Sequence, residues 1–365
     1  MILTEPALRG NRHLPMNIFR GFHHPDIAAT CALTIGNFDG VHRGHQAMLA
    51  LLNSEARHRG VPSCVMTFEP HPRDYFAALL GKPELAPARI ATLRDKLQEL
   101  ERCGVDQVVV VPFNARLSGC PPESFIDDVL VRGLGVRYVL VGDDFRFGAR
   151  RAGDYDMLDA AGSRLGFDVA RMNSYEVRGL RVSSSAVRDA LHSGNMAAAT
   201  ALLGRPYAIS GHVVHGRQLG RELGASAPGR GDGFRTLNLR FAHWKPAASG
   251  IFVVQVFGLC SDPAMPVEGV ANLGVRPSLD ANDVNGGQVL LETHCLDWPP
   301  ELAGREAYGK IIRVELLHKL HDELKYDSLD ALTSGIARDC DAARAFFAHA
   351  RTHRQTTRDR ITSGA

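Results

Sequence analysis

The chain has 365 residues, more than one core usually supports, so two domains are expected, each able to bury an interior of its own. Its 42 Lys and Arg stand against 40 Asp and Glu, a balance that argues against a nucleic-acid or anionic-membrane partner. The seven cysteines are scattered and never form a C-x-x-C pair, which argues against a disulfide framework or a zinc site and for a reducing, cytoplasmic compartment. The N-terminus has no continuous apolar segment, and no later run approaches a membrane's width.

Residues 1–30 show little periodicity. Beyond them β-rich runs at 31–35, 63–68, 107–111, 138–141 and 167–171 alternate with helical patterns, one opened by His42 and His45 and running to His58, others at 89–103, 122–132 and 154–165. Strands separated by helices predict an α/β unit, a parallel sheet with helices on both faces. Two short helices follow at 183–192 and 195–203, and Gly204-Arg205-Pro206 breaks the period. The chain then turns β-rich at 208–214, 236–241, 250–257, 267–273, 288–294 and 311–317, the pattern of a small antiparallel barrel or sandwich. Apolar residues at helical spacing over 328–350 predict a closing helix on the barrel, and residues 351–365 read as a disordered tail. The expected division is therefore 1–203 and 204–350. Residues 224–233, G-A-S-A-P-G-R-G-D-G, read as a flexible loop.

The stretch L-T-I-G-N-F-D-G-V-H-R-G-H, residues 33–45, follows a strand and opens a helix. Gly36, Asn37, Phe38, Gly40 and Gly44 form a loop whose backbone can approach a phosphate, and the helix N-terminus favours an anion. His42 and His45, three apart, fall on one helix face. The plainer reading is a glycine turn with two surface histidines, but the position at the first βα junction favours the phosphate reading. The second such junction, T-F-E-P-H-P, presents Glu69 and His71 on a proline-stiffened exposed loop, or is simply a solvated turn. G-D-D-F-R-F-G offers Asp144, Phe145 and Phe147, a mixture suited to a planar ring plus a metal or phosphate, though common on surfaces. In V-S-S-S-A-V-R the hydroxyls of Ser183, Ser184 and Ser185 are helix caps, or hold a triphosphate tail together with Arg188.

In this order and spacing, the four motifs resemble the adenylyltransferase module of the bifunctional bacterial riboflavin kinase/FMN adenylyltransferases, the prokaryotic FAD synthetases. The likeness continues through G-R-P-Y, G-H-V-V-H-G-R-Q-L-G-R, V-A-N-L-G-V-R-P, L-E-T-H and Y-G-K, and covers roughly residues 30–350. It implies a Rossmann-like nucleotidyltransferase module that moves AMP from ATP to FMN and releases pyrophosphate. His42 and His45 would bind the phosphates as charge shifts, and Ser183, Ser184 and Arg188 the β and γ groups, with Mg²⁺ bridging phosphate oxygens. The loops bearing His71, Asp144, Phe145 and Phe147 would border the flavin and nucleotide.

The second module would be a riboflavin kinase with Glu292 as general base, Gly216, Gly220 and Arg221 at the ATP phosphates, Arg276 at the flavin, and Thr236 and Asn238 on Mg²⁺. It departs from the family's P-T-A-N motif: a glycine-rich insertion precedes Thr236, Arg235 replaces the proline, and Leu237 replaces the alanine. These changes free the backbone at 235, crowd the nucleotide with leucine and loosen the phosphate loop. The readings open at this point are a two-activity enzyme, an adenylyltransferase with a silent kinase-like module, and a non-catalytic flavin sensor. An aminoacyl-tRNA synthetase reading of the H-x-G-H element lacks a basic surface or a K-M-S-K-S motif. The expected partners are riboflavin, FMN and ATP, with no nucleic acid or membrane, and the chain a monomer or weak homo-oligomer.

Overall fold

A computed structural model describes residues 15–177, 179–215, 236–241, 245–275, 289–302 and 307–362. The chain divides into two compact units, one of Met1–Ala86 with Leu97–Tyr175, the other of Pro87–Lys96 with Glu176–Ala365.

The first unit is built on a six-stranded parallel sheet in the order β1-β4-β3-β2-β5-β6. Its strands are β1 Asn17–Arg20, β2 Cys31–Ile35, β3 Ser63–Glu69, β4 Gln107–Pro112, β5 Val136–Gly142 and β6 Asp168–Met172. All five residues of β2 are buried, as expected of an apolar run in a parallel sheet covered on both faces. The predicted strands fall within two residues of these bounds. β1 was not expected: it is a four-residue edge strand with Phe19 alone buried, too short to show a period. Helix α1, Arg43–Arg59, has no acidic residue in its first turn and Arg57, His58 and Arg59 in its last, so its charges complement the dipole at the C-terminus and leave the N-terminus open to an anion.

Helix α2, Pro72–Leu79, which the sequence reading did not anticipate, begins at the last residue of the T-F-E-P-H-P segment. Proline at its first position is compatible with a helix start, and the His71 side chain caps it. Helix α3 spans Leu93–Arg102, shorter than the expected 89–103, because Thr92 Oγ1 accepts from Asp95 N (3.1 Å) and sets its start. The expected helix at 122–132 is a short α-helical turn, Pro122–Ser124, continued as a π-helix, Phe125–Gly133.

The second unit contains a closed barrel in the order β10-β13-β12-β11-β14-β9, which settles the barrel-or-sandwich alternative. Its strands are β9 Tyr207–Val214, β10 Thr236–Arg240, β11 Gly250–Phe257, β12 Val267–Val275, β13 Val289–Cys295 and β14 Ile311–His321; a small hairpin pairs β7 Glu176–Val177 with β8 Leu180–Arg181. Leu237, Leu239, Ala271, Leu273, Val289 and Leu291 share one buried core with Val187, Leu191 and Met196 of the helices Ser184–His192 and Met196–Leu203, and with Ile90.

On the opposite face of β11 and β12, Val253 and Val270 pack with Cys340, Ala343 and Phe347 of the closing helix. That helix runs Leu329–Thr362, so the backbone of 351–362 is helical where a disordered tail was expected. The segment has no proline or glycine to break it, and Arg351 Nη1 binds Glu268 Oε1 at 2.7 Å. No helix among the described residues is long and apolar enough to cross a membrane.

Candidate active sites

In the parallel sheet β2 lies between β3 and β5, so the chain's progression reverses at β2, and the crevice beyond its carboxyl end is where such sheets bind ligands. Residues 36–45 fill that position. Gly36 N donates to Met66 O (3.0 Å) and Thr67 Oγ1 to Asn37 O (3.2 Å), tying the loop to β3. Phe38 (φ 49) and Val41 (φ 40) are buried in the left-handed region, where a β-branched residue is strained, and Gly40 (φ 83) lies between them. Phe38 as a whole is 1% exposed, so its ring is part of the interior.

His42 is the N-cap of α1: its Nδ1 accepts from His45 N at 3.3 Å. An accepting Nδ1 places the proton of the neutral ring on Nε2, which is thereby a donor. The His42 and His45 rings stack with centroids 3.6 Å apart and an interplanar angle of 15°. The two histidines are thus joined at one helix start, His42 buried and His45 half-buried.

His71 repeats the device at the next strand: Nδ1 accepts from Arg73 N at 3.1 Å. It is 6% exposed, so the expectation of an exposed loop histidine is corrected; capping α2 draws the ring inward. After β5, Asp144 Oδ1 and Met48 Cε lie 3.6 and 3.8 Å from where a Cβ would stand on Gly142, ordinary contact distances, and Thr34 Oγ1 reaches Met48 Sδ at 3.2 Å. The turn after β5 therefore borders α1. Asp144 is exposed and Phe145 half-buried, but Phe147 belongs to the core, stacked on Phe145 at 5.5 Å and seated over Gly153, where a Cβ would come within 2.6 Å of the ring. The motif's second aromatic is spent on packing.

In the second unit Ser183 caps the helix Ser184–His192, its Oγ accepting from Ala186 N at 3.2 Å. Ser184 is half-buried and Ser185 exposed in the first turn. Arg188 Nε donates to Ala88 O at 2.7 Å, which fixes the guanidinium's base.

The barrel's register brings the remaining residues together. Asn238 of β10 and Asn272 of β12 both pair with Glu292 of β13, and Thr236 pairs with His294. Alternation along β10 sends Leu237 and Leu239 to the interior and Thr236 and Asn238 to the other face. Leu237, 2% exposed, therefore points away from the site, and the expected crowding of the nucleotide is corrected.

Asn238 is 4% exposed, and its Oδ1 is buried without a hydrogen-bond partner among the described residues. Beside a threonine hydroxyl and a carboxylate, that oxygen suits a hard cation. No group of three or more His, Cys, Asp or Glu that could hold a metal occurs among the described residues. Gly216, Gly220, Arg221, Arg235, Arg276 and the loop at 224–233 lie outside the described residues. Asn272, not singled out from the sequence, also pairs with Glu292, and its Nδ2 donates to Glu323 Oε1 at 2.8 Å. Asn272 stands in a motif already noted, but strand register decides that it faces Glu292.

Comparison with known proteins agrees with both halves. The FAD synthetase family model matches residues 24–186 and the riboflavin kinase model residues 203–347. A bifunctional riboflavin kinase/FMN adenylyltransferase from Escherichia coli (strain K12) is 44% identical over 334 residues, covering 91% of this chain and 98% of that relative. Proteins of the same description from Pseudomonas fluorescens and Haemophilus influenzae are 42% and 40% identical, each over 91% of this chain. Among solved structures, a macrolide-efflux protein from Streptococcus pneumoniae aligns over 90% of this chain and 99% of its own, with a TM-score of 0.64 and 23% identity, a likeness of fold.

Proposed function

The chain belongs to the bifunctional riboflavin kinase/FMN adenylyltransferase family, and from that premise we propose that it makes FMN from riboflavin and then FAD from FMN, using ATP in both steps. The observation that carries the two-activity reading over a silent kinase-like module is the register of Asn238 and Glu292, with Thr236 on the same face. Base and oxygen donors survive the motif's departures together. We assign adenylylation to residues 1–203 and phosphorylation to 204–350, in a cytoplasmic protein that is a monomer or weak homo-oligomer; the seven free thiols support the reducing compartment.

In adenylylation an oxygen of the FMN phosphate attacks the α-phosphorus of ATP in line, the bond to the bridging oxygen breaks, and pyrophosphate leaves. No covalent intermediate with the protein is required, so catalysis is alignment and stabilisation of charge. The His42 Nε2–H, His45, the α1 N-terminus and the backbone of Asn37, Gly40 and Gly44 supply donors to the phosphates, while Gly36, whose N–H is bound to Met66 O, and the buried Phe38 shape the loop. Ser183, Ser184, Ser185 and Arg188, the last anchored through Nε, add donors for the β and γ groups. His71, Asp144 and Phe145 contribute to flavin binding.

In phosphorylation Glu292 takes the proton of the ribityl 5′-hydroxyl as its oxygen bonds to the γ-phosphorus, and ADP leaves. Thr236 and Asn238 would hold Mg²⁺ through their side-chain oxygens. The ion supplies charge neutralisation at the transferring group. Gly216, Gly220, Arg221 and Arg276 serve the ATP phosphates and the flavin. Incubation with riboflavin, ATP and Mg²⁺ followed by chromatographic separation of flavins should show FMN and FAD accumulating. FAD forming only from added FMN would refute the kinase half, and no adenylylation of FMN with any divalent metal would refute the whole reading.

A further inference from the structure

Asn272 stands on the other side of Glu292 from Asn238, since β13 lies between β12 and β10. With strands about 4.8 Å apart, Asn272 is one spacing from the base and roughly 10 Å from Asn238. The base thus has the oxygen donors for a cation on one flank and Asn272 on the other. Asn272 Nδ2 donates to Glu323 Oε1 at 2.8 Å, while Asn272 Oδ1 is buried and has no hydrogen-bond partner among the described residues. Glu323 reaches this point because residue 274 is glycine: a Cβ there would lie 2.1 to 2.8 Å from its carboxylate atoms. A reversed amide would set Oδ1 against that carboxylate, so Glu323 dictates which end of Asn272 is the acceptor.

We propose that Asn272 is a substrate-binding residue of the phosphorylation reaction, whose Oδ1 accepts a hydrogen bond from a hydroxyl of the substrate's polyol chain, and that Glu323 is its positioning residue. The inference rests on the kinase reading above. Because the γ-phosphoryl group arrives from the Asn238 flank, the alcohol chain bearing the attacked hydroxyl extends toward the opposite flank. There it meets a buried acceptor that lacks a donor, and a chain hydroxyl supplies one. The isoalloxazine ring takes no part in this contact.

The test uses the full-length protein, with binding of riboflavin and of lumiflavin, which has the ring but no polyol chain, read by flavin fluorescence in the presence of ADP and Mg²⁺. Asn272→Ala should weaken riboflavin about tenfold, in both Kd and kinase KM. Lumiflavin affinity, the KM for ATP, thermal midpoint and FMN adenylylation should stay at wild-type values. Glu323→Ala should give a smaller loss of the same kind, roughly threefold, and Glu323→Gln should restore it, since an amide oxygen still accepts from Nδ2.

Unchanged riboflavin affinity in Asn272→Ala, or a parallel loss of lumiflavin and ATP, overturns the proposal. A wild-type protein that binds riboflavin without phosphorylating it refutes the kinase reading alone, and the binding comparison still decides the role of Asn272. Failure of the wild type to bind riboflavin overturns both.

Discussion

His42 caps α1 through Nδ1, and the proposed reaction also asks its Nε2–H to donate to phosphate; the two tasks can be separated by substitution. Asparagine is a good N-cap, so His42→Asn should keep the thermal midpoint close to wild type and still lower FAD formation about a hundredfold or more, the scale of a lost transition-state donor. His42→Ala should lose the same activity and about 1 kcal/mol of stability besides. A thermal scan beside an FAD assay decides it: if His42→Asn retains activity, the ring is only a cap. The strand-to-helix junction in this stretch was legible because an apolar run stops at Gly36 and a helical pattern opens at His42. Burial was less so. Nothing in T-F-E-P-H-P says that His71 turns inward, because the eight-residue helix that it caps is too short to announce itself by periodicity.

At the scale of elements, strand positions were recoverable from apolar runs bounded by glycine and proline, whereas register was not. Alternation puts Leu237 inside the barrel and Asn238 outside it, yet only the pairing of β10 with β13 reveals that Asn238 meets Glu292. The closing helix was legible from its apolar spacing, but its attachment was not. His321 at the end of β14 binds Asp339 Oδ1 through Nε2 at 2.9 Å. Burial pulls the His321 pKa down, but the Asp322 carbonyl and the Asp339 carboxylate outweigh it and raise the value above that of a free imidazole.

A histidine raised on folding contributes stability that is full below its unfolded pKa, about 6.5, and is lost as pH climbs through the folded value. Replacing Asp339 by Asn should therefore cost more at pH 6 than at pH 8.5. The difference in thermal midpoint between the two proteins should shrink by ~1–2 °C over that range, modest because the pair is partly solvated. A difference independent of pH would remove the ion pair from the account of how the helix is held.

For the molecule as a whole, the two proposed reactions use different key side chains, His42 and Glu292, and so predict two separable losses. Glu292→Gln should lower FMN formation by about a hundredfold to ten-thousandfold, the usual contribution of a general base. FAD formation from supplied FMN should be unaffected, and His42→Asn should show the reverse pattern. If Glu292→Gln impaired both activities alike, the division of labour would be wrong. The change from helix-strand alternation to short strands falls after residue 203, whereas the compact units divide between Tyr175 and Glu176, because the helices Ser184–His192 and Met196–Leu203 pack into the barrel core. The membership of Pro87–Lys96 in the second unit was not legible, because it depends on contacts between residues far apart in sequence.

That segment also bears on the order in which the protein is made. Asp95 accepts from Ser210 N at 3.3 Å across 115 residues of chain, and Ile90 belongs to the barrel core. At 5–20 residues per second, on the order of ten seconds pass between synthesis of Asp95 and synthesis of Ser210. The ribosome has by then produced every strand of the parallel sheet, so Pro87–Lys96, a part of the connection between β3 and β4, must wait for a barrel not yet translated. Synthesis from one end therefore leaves the earlier-made half of the chain complete in sequence but unfinished in structure until the later half arrives.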